Sequence, residues 1–182
     1  LYVIESVGAT VGSAEGVVGS VGCVSETDAN LYMFDLAGNL SLKVPGVTNS
    51  NGICWNAEAT VMYYIDTPTK KILAYPFENE RGEIGEPSLV VDTGVAGWAG
   101  SPDGMTIDAE GKLWVAMCHV GTVLRIDPLS GYLLHQVDFP CVETTACAFG
   151  GPNLERLYVT TGLHKPLEEP DAGKVFVVDG VG

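Results

Sequence analysis

The chain has 182 residues, 46% of them hydrophobic and 18% charged, which is enough apolar material for one sizeable core and excludes a disordered or fibrous chain. Nine Lys and Arg stand against 23 Asp and Glu, a formal charge of −14. A field of that sign repels phosphate backbones and anionic lipid and gathers cations, so neither nucleic acid nor membrane is expected as a partner.

Taken in chain order, LYVIES (Leu1–Ser6) reads as a short strand, and NLYMFDLAGNLSLKV (Asn30–Val44) as two strands joined by a turn. From Asn51 onward a longer unit repeats. NGICWNAEATVMYYIDTPTKKILAYPF aligns with DGMTIDAEGKLWVAMCHVGTVLRIDP from Asp103, and then with TACAFGGPNLERLYVT and GKVFVVD from Thr145. The period is roughly 40 to 50 residues, as for four-stranded propeller blades. Inner strands are expected at 51–55, 103–107 and 145–149, second strands at 61–66, 112–117 and 156–161, and third strands at 70–77, 121–127 and 173–179. Outer strands follow at Ser88–Asp92 and Tyr132–Asp138. The last unit lacks its fourth strand, and Leu1–Ser6 is a candidate to supply it from the other end of the chain, which would cover an exposed sheet edge. The fold class is all-β, one partial β-propeller domain over 1–182, with units starting near 51, 103 and 145 and a partial blade over 15–50.

The N-terminus LYVIESVGAT lacks the basic start and long apolar stretch of a signal peptide, and no run of 18 apolar residues occurs. The five cysteines, Cys23, Cys54, Cys118, Cys141 and Cys147, are odd in number with no CxxC spacing, a pattern of ordinary small core residues in a reducing compartment. A cytoplasmic location is expected, and a chain that begins with Leu1 rather than Met reads as a fragment or a trimmed chain.

In a propeller the inner strands line the central channel, so residues at their starts converge on one mouth. Those positions hold Ser50-Asn51-Gly52 and Pro102-Asp103-Gly104, with Ala14-Glu15-Gly16 as a third of the same form. Converging Asn, Asp and Glu oxygens suit a hard divalent cation. Asn-Gly and Asp-Gly are also common turn dipeptides, and spacing alone favours the turn reading. Trp55 and Trp114 fall where side chains pack between blades. His119 follows a second strand, where a structural or solvent-facing role is the commoner one, and His135 and His164 show no partner spacing. No Ser-His-Asp arrangement, GxSxG elbow, P-loop or GxGxxG is present.

Residues 30–182, and above all SNGICWNAEATVMYYIDTPTKKILAY, VDTG, PDGMTIDAEGKLWVAMCHVGTVLRIDP and TTACAFGGPNLERLYVT, closely resemble the SMP-30/gluconolactonase/regucalcin family. The resemblance implies a six-bladed propeller, of which this chain supplies three and a half to four blades, with one divalent cation at the channel mouth. Calcium is the first expectation, and Zn²⁺, Mg²⁺ or Mn²⁺ are alternatives. Asn51 matches the Asn of the family's SNG motif and Asp103 the Asp of its PDGMTID motif, so both are implied metal ligands. Glu15 matches only the A-E-G part of the third ligand motif. Glu26, in GCVSETDANLY, resembles an acidic loop that touches substrate hydroxyls, although a solvated carboxylate is the commoner role. The family's RxND motif has no counterpart here. Six blades need about 270 residues, so most of the first three blades are expected to be missing.

The implied activity is hydrolysis of a small sugar lactone, with the cation activating the carbonyl and Asp103 orienting or deprotonating water. The alternative is a non-catalytic calcium-binding protein of the regucalcin type, or an inactive truncated paralogue. Neither the particular lactone nor the oligomeric state is legible.

Overall fold

The computed structural model describes residues 2–4, 29–35, 37–163 and 168–181. Among them there is no α-helix, and the regular structure is four antiparallel sheets and one 3-10 turn at Thr67–Thr69. The first sheet holds β1 (Tyr2–Ile4), β2 (Ala29–Phe34) and β3 (Leu40–Val47). In the second, β4 (Ser50–Trp55), β5 (Val61–Asp66) and β6 (Lys71–Glu78) run in order. Two short strands share the outer edge of β6: β7 (Glu83–Ile84) beside its end and β8 (Ser88–Asp92) beside its start. The third is the meander β9 (Ser101–Ile107), β10 (Leu113–Cys118), β11 (Thr122–Ile126) and β12 (Leu133–Asp138). The fourth holds β13 (Thr144–Gly150), β14 (Arg156–Thr161) and β15 (Val175–Asp179).

Turn chemistry sets the hairpins. Asn56 Oδ1 accepts the N–H groups of Thr60 and Val61 between β4 and β5, and Asp108 Oδ1 accepts those of Glu110 and Lys112 between β9 and β10. These side chains close the same loop at the same place in successive sheets, because a short Asx side chain substitutes for a backbone turn. Burial opposes ionisation of Asp108, but hydrogen bonds from the Lys112 backbone, the Trp114 indole and Arg125 hold its carboxyl below the ordinary range.

The core lies between sheets. Successive side chains on a strand point to opposite faces, and the central strands use both. Met62 and Tyr64 of β5 pack towards the first sheet with Leu31 and Val47, while Tyr63 and Ile65 pack towards the third with Leu113, Val115 and Met117. From β10, Trp114 and Ala116 turn the other way, onto Cys147, Leu157 and Val159 of the fourth sheet. Trp55 packs against the cluster between the first and second sheets. Each sheet therefore stacks face to face on the next, as adjacent blades do in part of a propeller.

One expectation is corrected. The N-terminal strand does not complete the last sheet, and β1 instead pairs antiparallel with β2, Tyr2 opposite Met33 and Ile4 opposite Leu31. A three-residue apolar strand fits any open edge, and the edge of β2 is the one it covers. Among the described residues β15 keeps an uncovered edge.

Candidate functional site

Antiparallel pairing places the end of each second strand beside the start of its inner strand: Asp66 opposite Ser50, Cys118 opposite Ser101 and Thr161 opposite Thr144. Inner strands of neighbouring sheets also approach closely, β4 against β9 and β9 against β13. Glycine permits this approach. A Cβ on Gly52 would fall 2.6 Å from Met105 Cβ and 2.7 Å from the Asp103 carbonyl oxygen. One on Gly104 would fall 2.5 Å from Ala146 Cβ and 2.8 Å from the Thr145 oxygen. The residues just before these glycines, Asn51 and Asp103, are thereby brought to one mouth.

The two side chains interact. Asn51 favours the charged form of the Asp103 carboxyl, and its Nδ2 donates to Thr67 Oγ1 at 3.0 Å. Thr67 opens the 3-10 turn that follows β5. Burial pushes the Asp103 carboxyl above its usual value, more than Asn51 and the nearby His119 hold it down, and the Glu143 carboxylate adds to the rise. Carboxylate, amide and hydroxyl oxygens are hard donors, so Asp103, Asn51 and Thr67 are residues that could hold a divalent cation of the calcium or magnesium kind.

A second group adjoins the first. Cys118 ends β10, His119 follows it, and Glu143 immediately precedes β13. Glu143 Oε1 lies 2.8 Å from His119 Nδ1, and Oε2 accepts the His119 N–H at 3.3 Å. The Cys118 thiol is pushed up to about 11 by burial, with the carboxylates of Asp103 and Glu143 adding to the rise.

Of the residues singled out in the sequence, the structure brings Asn51 and Asp103 together. Glu15 and Glu26 lie outside the described residues, as does His164. His135 stacks edge-on against Trp114, at 6.4 Å between ring centroids. Glu143 and Thr67 were not singled out. The rule that flagged Asn51 and Asp103, an oxygen-bearing residue followed by Gly at an inner-strand start, does not reach Glu143, which precedes Thr144 just outside the third inner strand.

The sequence profile of the SMP-30/gluconolactonase/LRE-like region matches residues 12–163. The chain belongs to this family. Its curated relatives include human regucalcin, 38% identical over 138 residues, which is 73% of this chain and 46% of that protein. YvrE of Bacillus subtilis, which carries a provisional assignment as a sugar lactone lactonase, is 38% identical over 156 residues, 83% of this chain and 53% of its own length. Among solved structures, a luciferin-regenerating enzyme superposes with a TM-score of 0.80 at 29% identity, covering 87% of this chain and 54% of that one. The calcium-binding protein regucalcin from Agrobacterium tumefaciens gives 0.77 at 26% identity, covering 85% and 53%. The chain thus spans about half the length of the family members it matches, and its fold is part of their β-propeller.

Proposed function

We propose that this chain carries part of the site of a divalent-metal-dependent hydrolase of small sugar lactones, with Asn51 and Asp103 as ligands and Glu15 as a third. The observation that carries the reading is the Asn51–Asp103 pair, held at the convergent starts of two inner strands with the Asp103 carboxyl raised by burial. Kinship with YvrE supports the substrate class, and kinship with a calcium-binding regucalcin supports calcium as the cation. The propeller is read as one partial domain over 1–182, with units from about 51, 103 and 145 and a partial blade over 15–50. Glu26 is retained as a candidate contact to a substrate hydroxyl.

Asp103 and Asn51 would hold the cation, which would supply Lewis acidity to the lactone carbonyl. Asp103 is the carboxylate placed to orient the attacking water and to accept its proton. Without a cation, Thr67 Oγ1 holds the Asn51 amide through Nδ2. Ligation by Asn51 requires that amide to turn over, so that its oxygen faces the cation and the Thr67 hydroxyl donates where it had accepted.

No helix is long and apolar enough to cross a membrane among the described residues. Cys54, Cys118, Cys141 and Cys147 are free thiols, which supports placing the protein in the cytoplasm. The test is a pH-stat assay on gluconolactone, corrected for spontaneous hydrolysis, with Ca²⁺ and with chelator. Chelator-sensitive turnover that falls by about 10²-fold or more in Asp103→Asn is expected for a lost base. The lack of an RxND motif favours a second reading, cation binding without catalysis. Calcium binding lost in Asp103→Asn, with no turnover by the wild type, would select it.

A further inference from the structure

The group formed by Cys118, His119 and Glu143 is not used by the lactone reading. One nitrogen, one sulfur and one carboxylate oxygen from these residues lie within 4.8 Å of one another. Consecutive residues on a strand point to opposite faces, so a thiol and the imidazole next to it do not ordinarily meet. Here His119 has a φ of 72°, in the left-handed region that a side chain adopts only at a cost. This turn at the end of β10 lets the imidazole come round to the thiol. Glu143 reaches both from the adjoining sheet.

We propose that Cys118, His119 and Glu143 form a second cation site, for Zn²⁺ or a similar borderline transition metal, beside the oxygen-donor pair of Asn51 and Asp103 and chemically distinct from it. The donors decide the metal. Thiolate and imidazole select zinc-like ions, whereas the carboxylate, amide and hydroxyl of the first group select harder ones. Three protein ligands with a fourth position left to water is the pattern of an open zinc site.

The geometry allows it with side-chain adjustment alone. Zinc bonds of about 2.0–2.3 Å at tetrahedral angles space the ligand atoms by about 3.3–3.8 Å. The 2.8 Å contact between His119 and Glu143 opens slightly as the ion replaces the proton between them, and the thiol closes in. Cys118 and Glu143 are buried while the His119 side chain is 59% exposed, so His119 is the entry side. A thiol ligates a metal only as the thiolate. Binding therefore expels one proton from Cys118 per metal.

The inference does not rest on lactone hydrolysis, since its ligands are different residues. The experiment titrates Co²⁺, a spectroscopic substitute for Zn²⁺, into the full 182-residue chain and follows the near-ultraviolet thiolate-to-cobalt absorption. One equivalent should saturate the band, Zn²⁺ should displace it, and a large excess of Ca²⁺ should not. Cys118→Ser should abolish it, and Asp103→Asn should leave it. Glycine suits the backbone at position 119, which offsets part of the cost of losing the His119–Glu143 contact, so His119→Gly should remain folded while binding Co²⁺ at least about tenfold more weakly. That variant, with Glu143→Gln, decides the matter if Cys118→Ser fails to fold. No thiolate band in the wild type would overturn the proposal, as would a band untouched by Cys118→Ser, or unchanged affinity in His119→Gly. A band lost equally in a folded Asp103→Asn would mean one shared site rather than two. A lactone assay with Ca²⁺ alone reads the Asn51–Asp103 pair separately.

Discussion

Strands β10 and β15 are built from similar residues, LWVAMC against VFVVD, and are treated oppositely by the fold. Every residue of β10 is buried, while β15 alternates, with Val175 61% and Val177 49% exposed. The cause is the number of neighbours. β10 sits in a sheet flanked on both faces, and its side chains divide between two clusters, odd-numbered residues to one and Trp114 and Ala116 to the other. Among the described residues the sheet of β15 has one such neighbour, against which Phe176 and Val178 pack. An apolar run without alternation thus reports a blade held between two others, and a period of two reports a blade covered on one side.

The comparison predicts a steep difference in stability effects. Trp114 fills the joint between the third and fourth sheets, with its Nε1 donating to Asp108 at 2.9 Å. Trp114→Ala should destabilise by about 3–5 kcal/mol, read as a fall in the denaturant midpoint, and a loss under 1 kcal/mol would refute the two-sided core. Gly104→Ala forces a methyl group into the backbone of β13 and should cost about 1–3 kcal/mol. It should also weaken divalent-cation binding by moving Asp103, and calorimetry would show this.

A smaller effect should appear in the pH dependence of the metal-free protein. Asp103 has a folded pKa above its ordinary value of 3.8, so the native state holds this proton more tightly than the unfolded chain does. Its stabilising contribution is complete below the unfolded value and is lost as pH rises through the folded one. Asp103→Asn should therefore remove one step of falling stability above about pH 4, measured by denaturation with chelator present. Parallel pH curves for the two proteins would count against a carboxyl raised by partial burial. At the small end, Val177→Ala on the outward face of β15 should change stability by no more than about 0.5 kcal/mol. A larger loss would show that something covers that face in solution.

What could be read in advance followed local chemistry. The inner strands were legible because apolar runs recur at a similar interval after turn residues, whereas Asn51 and Asp103 stood out only through the resemblance to the family's motifs, since Asn-Gly and Asp-Gly by themselves read as turns. The place of β1 was not legible, since Tyr2–Ile4 carries no register signal and its choice of edge depends on which edges the rest of the chain leaves open. The pairing of His119 with Glu143 was hidden for a different reason. It depends on one left-handed residue and on which sheet lies next door, and neither leaves a trace in residue spacing.

The glycine contacts carry a consequence for how blades follow one another. Gly52 seats the second sheet on the third, and Gly104 seats the third on the fourth, by the same bare-backbone contact. A module that docks through such a contact can be repeated at a constant angular step. Ala146, the corresponding residue of the third inner strand, is the surface on which Gly104 seats, so that joint is closed by one bare backbone against one methyl group and leaves no room for a side chain larger than hydrogen on the Gly104 side.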